Sequence, residues 1–292
     1  MAEQDKPPVD AISGVVTTGH EWDGISELNN PLPRWWLWIF YACIVFSIGY
    51  WVVYPSWPLI STAAGGVFGW NSRTAVVQDL DALRAQRGPM VAKLEGVPIT
   101  EVKEDATLFD FTLAYGHAAF GDNCAPCHGP GGGGAKGYPN LIDDDWLWGG
   151  TQDEILQTIS HGVRNENPDS RQTDMPAFGR DGLLTTAQIY DVAYYVRSLS
   201  GLEVPDGADL AAGKQIFADN CAVCHGDNAK GNREFGAPNL TDAVWLYGSN
   251  LDDIVATVTN ARNSSMPDWG ARLDPTTVKA LAIYVHALGG GE

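Results

Sequence analysis

The residues of this chain with the clearest chemical potential are four cysteines and two histidines, which lie in two copies of one pentapeptide. The copies are Cys124-Ala125-Pro126-Cys127-His128 and Cys221-Ala222-Val223-Cys224-His225. The pattern C-x-x-C-H is typical of covalent attachment of c-type haem. Two thiols on one helical turn bond to the porphyrin vinyl groups, and the adjacent imidazole then binds the iron. The sequence therefore predicts two covalently bound haem c groups and chemistry that moves electrons.

Three other kinds of site also use a C-x-x-C pair: a thioredoxin-like redox site, half of a zinc site and half of a disulfide framework. A four-cysteine zinc site would leave His128 and His225 without a role. A redox dithiol normally accompanies a βαβ pattern, and we find no such pattern in this sequence. Because the pentapeptide occurs twice, each time followed by glycine, haem attachment is the interpretation that explains most of these residues.

Both pentapeptides belong to an internal repeat of roughly 90 to 100 residues. The matching segments are Pro139-Asn140-Leu141 with Pro238-Asn239-Leu240, Trp146-Leu147-Trp148-Gly149 with Trp245-Leu246-Tyr247-Gly248, and Met175-Pro176 with Met266-Pro267. Each copy ends in an apolar pattern with helical spacing. The chain therefore carries two versions of one helical haem domain.

Met175 and Met266 are the candidate sixth ligands of the two irons. They are two of the four methionines in the chain, and they lie 47 and 41 residues after His128 and His225. A single methionine is usually a packing residue. Two Met-Pro pairs in register with a repeat are better explained as axial thioether ligands, which complete the coordination of the iron and raise its reduction potential.

His161 is the alternative ligand of the first haem, because it lies upstream of Met175 in the same repeat. Its counterpart in the second repeat is at or near Asn260, which favours a role beside a haem propionate instead. Iron held by histidine and methionine has no open coordination position, so this ligand pair predicts electron exchange without substrate binding. No residue of the predicted sites is assigned a catalytic role.

Residues 35–54 form an uncharged apolar run with aromatic residues at both ends. A helix of this length spans about 30 Å, the thickness of the hydrocarbon core of a bilayer. The run is longer than the apolar region of a signal peptide and follows an acidic segment, so an uncleaved anchor is expected. Arg34 precedes it and no basic residue follows until Arg73, which predicts a cytoplasmic amino terminus and periplasmic haem domains.

The composition and the loop residues complete this outline. The chain has 36 acidic and 18 basic residues, a balance that argues against nucleic acid as a partner. Residues 1–34 show neither a helical nor a strand period and predict an extended lead-in. Residues 73–87 have apolar positions at helical spacing and predict one amphipathic helix, which Gly88-Pro89 is expected to end.

The order of parts in residues 107–290 resembles the cytochrome c fold, in which an amino-terminal helix leads into C-x-x-C-H and a carboxy-terminal helix crosses it. The resemblance implies an all-α protein with one transmembrane helix followed by two tandem cytochrome c domains. Its haems would be attached at Cys124, Cys127, Cys221 and Cys224, with His128, Met175, His225 and Met266 as axial ligands. The expected segments are 1–34 (cytoplasmic), 35–54 (transmembrane helix), 55–106 (periplasmic helical linker), 107–203 (cytochrome c domain 1) and 204–292 (cytochrome c domain 2).

The approach to the membrane helix, Asn29-Asn30-Pro31-Leu32-Pro33-Arg34-Trp35-Trp36, gives a narrower resemblance. With one anchor and two cytochrome c domains behind it, the whole chain resembles the dihaem subunit III (CcoP) of cbb3-type cytochrome c oxidases. The resemblance implies a protein of the bacterial inner membrane that takes electrons from a donor cytochrome c. The electrons would pass to a monohaem subunit and on to the haem-copper subunit, where oxygen reduction is coupled to proton pumping.

Two other functions are compatible with two haem domains on an anchor. One is a free-standing dihaem shuttle that serves other reductases. The other is an enzyme such as a dihaem peroxidase, which needs one open or labile haem and is disfavoured by two histidine-methionine ligand pairs.

Overall fold

The computed structural model of the chain describes residues 8–61 and 63–292, so residues 1–7 and 62 of the expected segments lie outside the description. The elements are β1 (Thr17–Trp22), β2 (Ile25–Leu28), α1 (Arg34–Val53), α2 (Ser72–Gly96), a 3₁₀ helix (Ile99–Glu104), α3 (Ala106–Asn123), α4 (Ala125–His128), α5 (Gln152–His161), α6 (Thr186–Leu199), α7 (Leu210–Asn220), α8 (Ala222–His225), α9 (Leu251–Asn260) and α10 (Pro275–His286). These elements form two compact units, and the boundary between them in the chain lies between Gln86 and Arg87. The predominantly helical fold class is confirmed.

The helix α1 is the expected anchor, displaced by one residue from the predicted range 35–54. Among the described residues it is the one helix long and apolar enough to cross a membrane, with a hydropathy of 1.8. None of its side chains is buried by the rest of the chain. An apolar helix whose side chains stay unburied needs an apolar solvent around it, which a lipid bilayer supplies.

The segment that follows α1 folds back onto the end of this helix. The main-chain N–H of Val67 donates to the carbonyl of Val52 at 2.9 Å, and that of Phe68 donates to Val53 at 3.1 Å. These bonds satisfy carbonyls that the last turn of a helix leaves without partners. Gly66 makes the return possible, because its φ is +65° and a Cβ there would overlap the main chain of Val53. The Tyr54 and Phe68 rings meet edge to face at 5.7 Å between centroids.

Residues 17–28 form an antiparallel hairpin, so the prediction of an extended lead-in without strand structure is wrong for this part of the chain. The two turn residues are Asp23 and Gly24, and both have positive φ, +48° and +83°. This backbone matches the tight two-residue turn whose twist suits a hairpin, and an Asp-Gly pair favours it.

The helix α2 continues through Gly88-Pro89 to Gly96, so the predicted end at residue 87 is wrong. Proline inside a helix removes one main-chain hydrogen bond and costs about 3 kcal/mol. Contacts beyond the proline offset this cost. Leu94 is fully buried. The ammonium of Lys279 donates to the carbonyl of Leu94 at 2.7 Å and also to that of Val97, so a side chain of α10 covers the end of the helix.

The second unit contains two helical bundles, and each bundle combines elements of both repeats. In the first bundle α3 and α4 pack with α5 and with α10, the last helix of the chain. In the second bundle α7 and α8 pack with α9 and with α6, the last helix of the first repeat. The sequence predicts two separate domains, residues 107–203 and residues 204–292. In the structure each attachment motif is packed against the carboxy-terminal helix of the other repeat.

Equivalent glycines allow the two helix crossings. A Cβ at Gly116 of α3 would lie 2.5 Å from the carbonyl oxygen of Ala280 in α10, and a Cβ at Gly213 of α7 would overlap the main chain of Asp191 in α6. The helix backbones therefore meet directly at these points.

Equivalent aromatic pairs lie next to the same two crossings. Phe120 meets Tyr284 at 5.4 Å between ring centroids, and Phe217 meets Tyr195 at 5.5 Å. The two bundles thus repeat one packing scheme, with the carboxy-terminal helices exchanged between the repeats.

We predict that Gly116→Ala lowers the free energy of unfolding by about 1–3 kcal/mol, because the added methyl group forces α3 and α10 apart. Chemical denaturation of the haem-loaded chain followed by circular dichroism measures this. Gly121→Ala is the matched control, since Gly121 lies on the same helix with nothing within 4 Å of an added Cβ. That change is expected to be neutral or to stabilise by up to about 1 kcal/mol through helix propensity. Equal losses in both variants would contradict the close crossing.

Candidate haem-binding sites

The first attachment motif occupies one turn that continues directly from α3. The N–H of Cys124 donates to the carbonyl of Phe120 at 2.8 Å, and the N–H of His128 donates to the carbonyl of Cys124 at 2.9 Å. Gly129, with a φ of +79°, ends the turn. The backbone therefore presents Cys124, Cys127 and His128 from a single helical turn, as covalent haem attachment requires.

The second motif has the same local geometry. The N–H of Cys221 donates to the carbonyl of Phe217 at 2.8 Å, and the N–H of His225 donates to that of Cys221 at 2.9 Å. Gly226 ends this turn with a φ of +78°. Since two independent segments adopt one unusual arrangement, both motifs are suited to the same cofactor.

Hydrogen bonds to backbone carbonyls fix the orientation of both imidazoles. Nδ1 of His128 lies 3.0 Å from the carbonyl oxygen of Pro139, and Nδ1 of His225 lies 3.0 Å from that of Pro238. A proton on Nδ1 leaves Nε2 as the nitrogen with a free lone pair, which is the arrangement of a metal-binding histidine. Burial lowers the pKa of His128 and of His225, so both rings are held in the neutral form that can bind iron.

The environment of the cysteines disfavours a thioredoxin-like dithiol. Burial raises the pKa of Cys124 and of Cys221 to about 11, and the neighbouring cysteine of each motif adds to the effect. Reactive redox cysteines need the opposite shift, because the thiolate is the attacking species. Thiols that are converted to thioethers carry no charge, so an apolar site suits them.

The structure brings together different methionine and histidine pairs from those that lie nearest in the sequence. Met266 packs against the apolar cluster of the first bundle, which contains Cys124. Met175 packs against the cluster of the second bundle, together with Cys221. Each predicted methionine ligand therefore lies in the bundle that contains the haem-attachment motif of the other repeat.

Two asparagines hold the methionine segments in place. The N–H of Met175 donates to Oδ1 of Asn263 at 3.1 Å, and Nδ2 of Asn263 donates back to the carbonyl of Met175 at 3.1 Å. Nδ2 of Asn165 donates to the carbonyl of Met266 at 2.8 Å. Asn165 and Asn263 occupy equivalent places, each directly after an arginine that follows the third helix of its repeat.

One arginine connects the two methionine segments. Nε of Arg164 donates to the carbonyl of Ser264 at 2.9 Å, and Nη1 donates to the carbonyl of Thr173 at 2.8 Å. Each of these carbonyls lies two residues before a methionine, Met266 in one case and Met175 in the other. The recurrence of Arg-Asn at 164–165 and 262–263 is a signal for these residues that the sequence predictions above do not use.

His161, the alternative ligand of the first haem, is the last residue of α5. Its carbonyl accepts a hydrogen bond from Nδ2 of Asn165 at 2.9 Å. Met266 packs against the apolar cluster around Cys124. The expectation that His161 is not an axial ligand stays a prediction.

Three family models match the chain in succession. Residues 14–61 match the N-terminal domain of cytochrome oxidase-cbb3, FixP; residues 113–200 match cytochrome c; and residues 208–285 match cytochrome c oxidase, cbb3-type, subunit III. The two cytochrome c matches coincide with the two repeats, and their family binds haem c.

Curated proteins match the chain over nearly its full length. The cbb3-type cytochrome c oxidase subunit FixP of Azorhizobium caulinodans is 56% identical over 290 residues, which cover 99% of this chain and 98% of that protein. Subunit CcoP of Cereibacter sphaeroides is 49% identical over 94% of this chain and 95% of its own length. Subunit CcoP of Azospirillum brasilense is 48% identical over the whole of both chains. The chain therefore belongs to the FixP/CcoP family, the cytochrome c subunits of cbb3-type cytochrome c oxidases.

Proposed function

We propose that this subunit carries electrons through two covalently bound haem c groups, from a donor cytochrome c to the other subunits of a cbb3-type oxidase. The observation that supports this most directly is the pair of attachment turns, each with two cysteines, an oriented imidazole and a methionine packed beside it. Haem, when bound there, supplies an iron that alternates between the ferrous and ferric states.

The donor sets of the chain fit two haems with closed coordination. We propose Cys124 and Cys127 as the covalent attachment points of the first haem, with His128 and Met266 as its axial ligands. For the second haem the corresponding set is Cys221, Cys224, His225 and Met175. The histidines bind through Nε2, since Nδ1 faces a backbone carbonyl in both cases. A thioether held on the opposite face keeps small ligands off the iron and raises its potential.

The family and the sequence support a proposal for the partners and the location. Electrons would leave this subunit for the monohaem subunit and reach the haem-copper subunit, which reduces oxygen and pumps protons. The helix α1 would anchor the chain in the inner membrane of the bacterium, with the amino terminus in the cytoplasm, since Arg34 lies at its amino-terminal end and no basic residue follows until Arg73. The two haem bundles would then lie in the periplasm.

The exchanged ligand pairs can be tested by combining substitutions. His128→Ala and Met266→Ala should each remove native ligation from one haem, and the double variant should still contain one haem of native ligation. His128→Ala with Met175→Ala should leave none. The measurement is the ferric charge-transfer absorption of the iron-methionine bond, with carbon monoxide binding to the reduced protein as the second readout. If instead His128→Ala with Met175→Ala kept one natively ligated haem and His128→Ala with Met266→Ala kept none, each methionine would belong to the histidine of its own repeat.

The asparagine contact predicts a second, milder effect. Asn263→Ala removes both hydrogen bonds that position Met175, so the second haem should bind carbon monoxide more readily and show a lower midpoint potential. Asn263→Asp keeps the acceptor oxygen, so its carbon monoxide binding and midpoint potential should lie between those of Asn263→Ala and the native chain. Asn71→Ala is the control. Like Asn263, Asn71 bonds to the main chain through its side chain, here by accepting two N–H groups at the start of α2, far along the chain from either methionine. A native spectrum in Asn263→Ala would assign Asn263 no part in ligation.

Membership of an oxidase complex separates the proposal from a free-standing dihaem shuttle. We expect the tagged full-length chain, solubilised in mild detergent, to co-purify with a monohaem cytochrome and with oxygen-reducing activity. Cys43→Ser should co-purify equally well with both haems attached, because Cys43 lies within α1 and belongs to neither motif. Recovery of the chain alone, with both haems intact and no oxidase activity, would support the shuttle.

A further inference from the structure

Two guanidinium groups lie over the ring of Trp148, a residue only 7% exposed. The Cζ atom of Arg171 is 5.5 Å from the ring centroid, and that of Arg164 is 6.0 Å away. At the equivalent place in the second repeat, Arg262 lies 5.1 Å over Tyr247. The first repeat thus has one arginine more than the second at this position, and Arg171 is the additional one.

Arg171 lacks an anionic partner in the part of the chain that the structure describes. Its Nη2 donates to the carbonyl of Trp148 at 3.3 Å. Its Nε is buried, and it is the one buried side-chain nitrogen or oxygen of the described residues without a hydrogen-bond partner. None of the ion pairs within 4.0 Å among the described residues includes Arg171 or Arg164. A buried donor without an acceptor is costly, so a missing acceptor is the simplest explanation.

The charge state of the site indicates the kind of acceptor. Burial lowers the pKa of Arg171 and of Arg164; the charge of Glu154 opposes this shift for Arg171, and those of Asp174 and Tyr247 oppose it for Arg164. Arginine nevertheless stays protonated in proteins. In a chain with a net charge of −18, two half-buried cations held apart from carboxylates mark a place for an external anion. A planar guanidinium matches a carboxylate best, through two parallel hydrogen bonds.

The main-chain contacts place Arg171 in the first bundle. Its N–H donates to the carbonyl of Gly162 at 3.2 Å, directly after α5. The next residue, Val163, pairs with Met266 through backbone bonds of 3.0 and 2.8 Å. Trp148 follows the loop whose Pro139 carbonyl orients His128. The Arg171 segment is therefore linked to Met266 through Gly162 and Val163, and the Arg171 side chain is linked to Trp148.

We infer that Arg171 binds a propionate carboxylate of the haem attached at Cys124 and Cys127, with Arg164 as a second positive charge beside it. The inference rests on the proposed function, because it requires a haem at the first motif. The role of Arg171 is to keep that propionate ionised and to hold the haem against Trp148. Removal of the positive charge favours the ferric form of the haem, which carries one more positive charge than the ferrous form.

The experiment is a redox titration of the full-length dihaem protein at several pH values, with Arg171→Gln and Arg171→Lys. In Arg171→Gln we expect a lower midpoint potential for one haem only, the same haem whose potential falls in Met266→Ala. That potential should also depend more steeply on pH in the acidic to neutral range, because the propionate loses its cation and its pKa rises towards that range. Arg171→Lys restores a charge without the planar fork and should recover part of the potential.

Arg180→Gln is the matched control, since Arg180 lies in an exposed ion pair with Asp181. Native potentials and a native pH profile in Arg171→Gln, with both haems attached, would overturn the inference, as would a shift confined to the second haem. Failure of the proposed function is a separate result. It would show in the unsubstituted chain as missing covalent haem in the pyridine haemochrome assay.

Discussion

The second unit depends on a short crossing of the chain, where the backbone of Val163 pairs with that of Met266 through hydrogen bonds of 3.0 and 2.8 Å. Before the crossing each repeat supplies an attachment motif to one bundle, and after it each supplies a methionine and a helix to the other. Neither bundle has a complete core of its own repeat, since Val278, Leu281 and Val285 of the second repeat fill the core around Cys124. The two bundles are therefore expected to fold as one cooperative structure.

The same arrangement locks the loops beside the two haem sites against each other. The ring of Trp148 lies against Gly236, where a Cβ would overlap it, and the ring of Tyr247 would lie 3.3 Å from a Cβ at Gly137. Lys136 adds an ion pair with Asp253 at 2.6 Å across the two bundles. An aromatic residue of each repeat thus packs against a glycine of the other repeat. The proposed carrier would need a fixed separation of its two haems, and these contacts between the loops would help to hold it.

The sequence predicts the helix order and the long apolar helix α1 well, because each has a local signal. The hairpin at residues 17–28 also has one, Asp23-Gly24, which the analysis overlooked. The extension of α2 through Pro89 has none, since it depends on Lys279, a residue far along the chain. The exchange of the carboxy-terminal helices between the repeats also has no local signal in the sequence. Tyr195 and Tyr284 are equivalent residues that suit either Phe120 or Phe217, so the repeat pattern fits both pairings and only the path of residues 162–185 decides between them.

The exchange also bears on the proposed closed coordination of the two irons. With the proposed ligands, a methionine would have to leave to open one iron, and its segment is held on both sides, by an asparagine amide and by Arg164. Because Arg164 bonds to both segments, movement of one disturbs the other site as well. Displacing one methionine would then also weaken hydrogen bonds that hold the other methionine segment. Under the proposed ligand sets, closed coordination would follow from the fold of the second unit, and not only from a thioether near each iron.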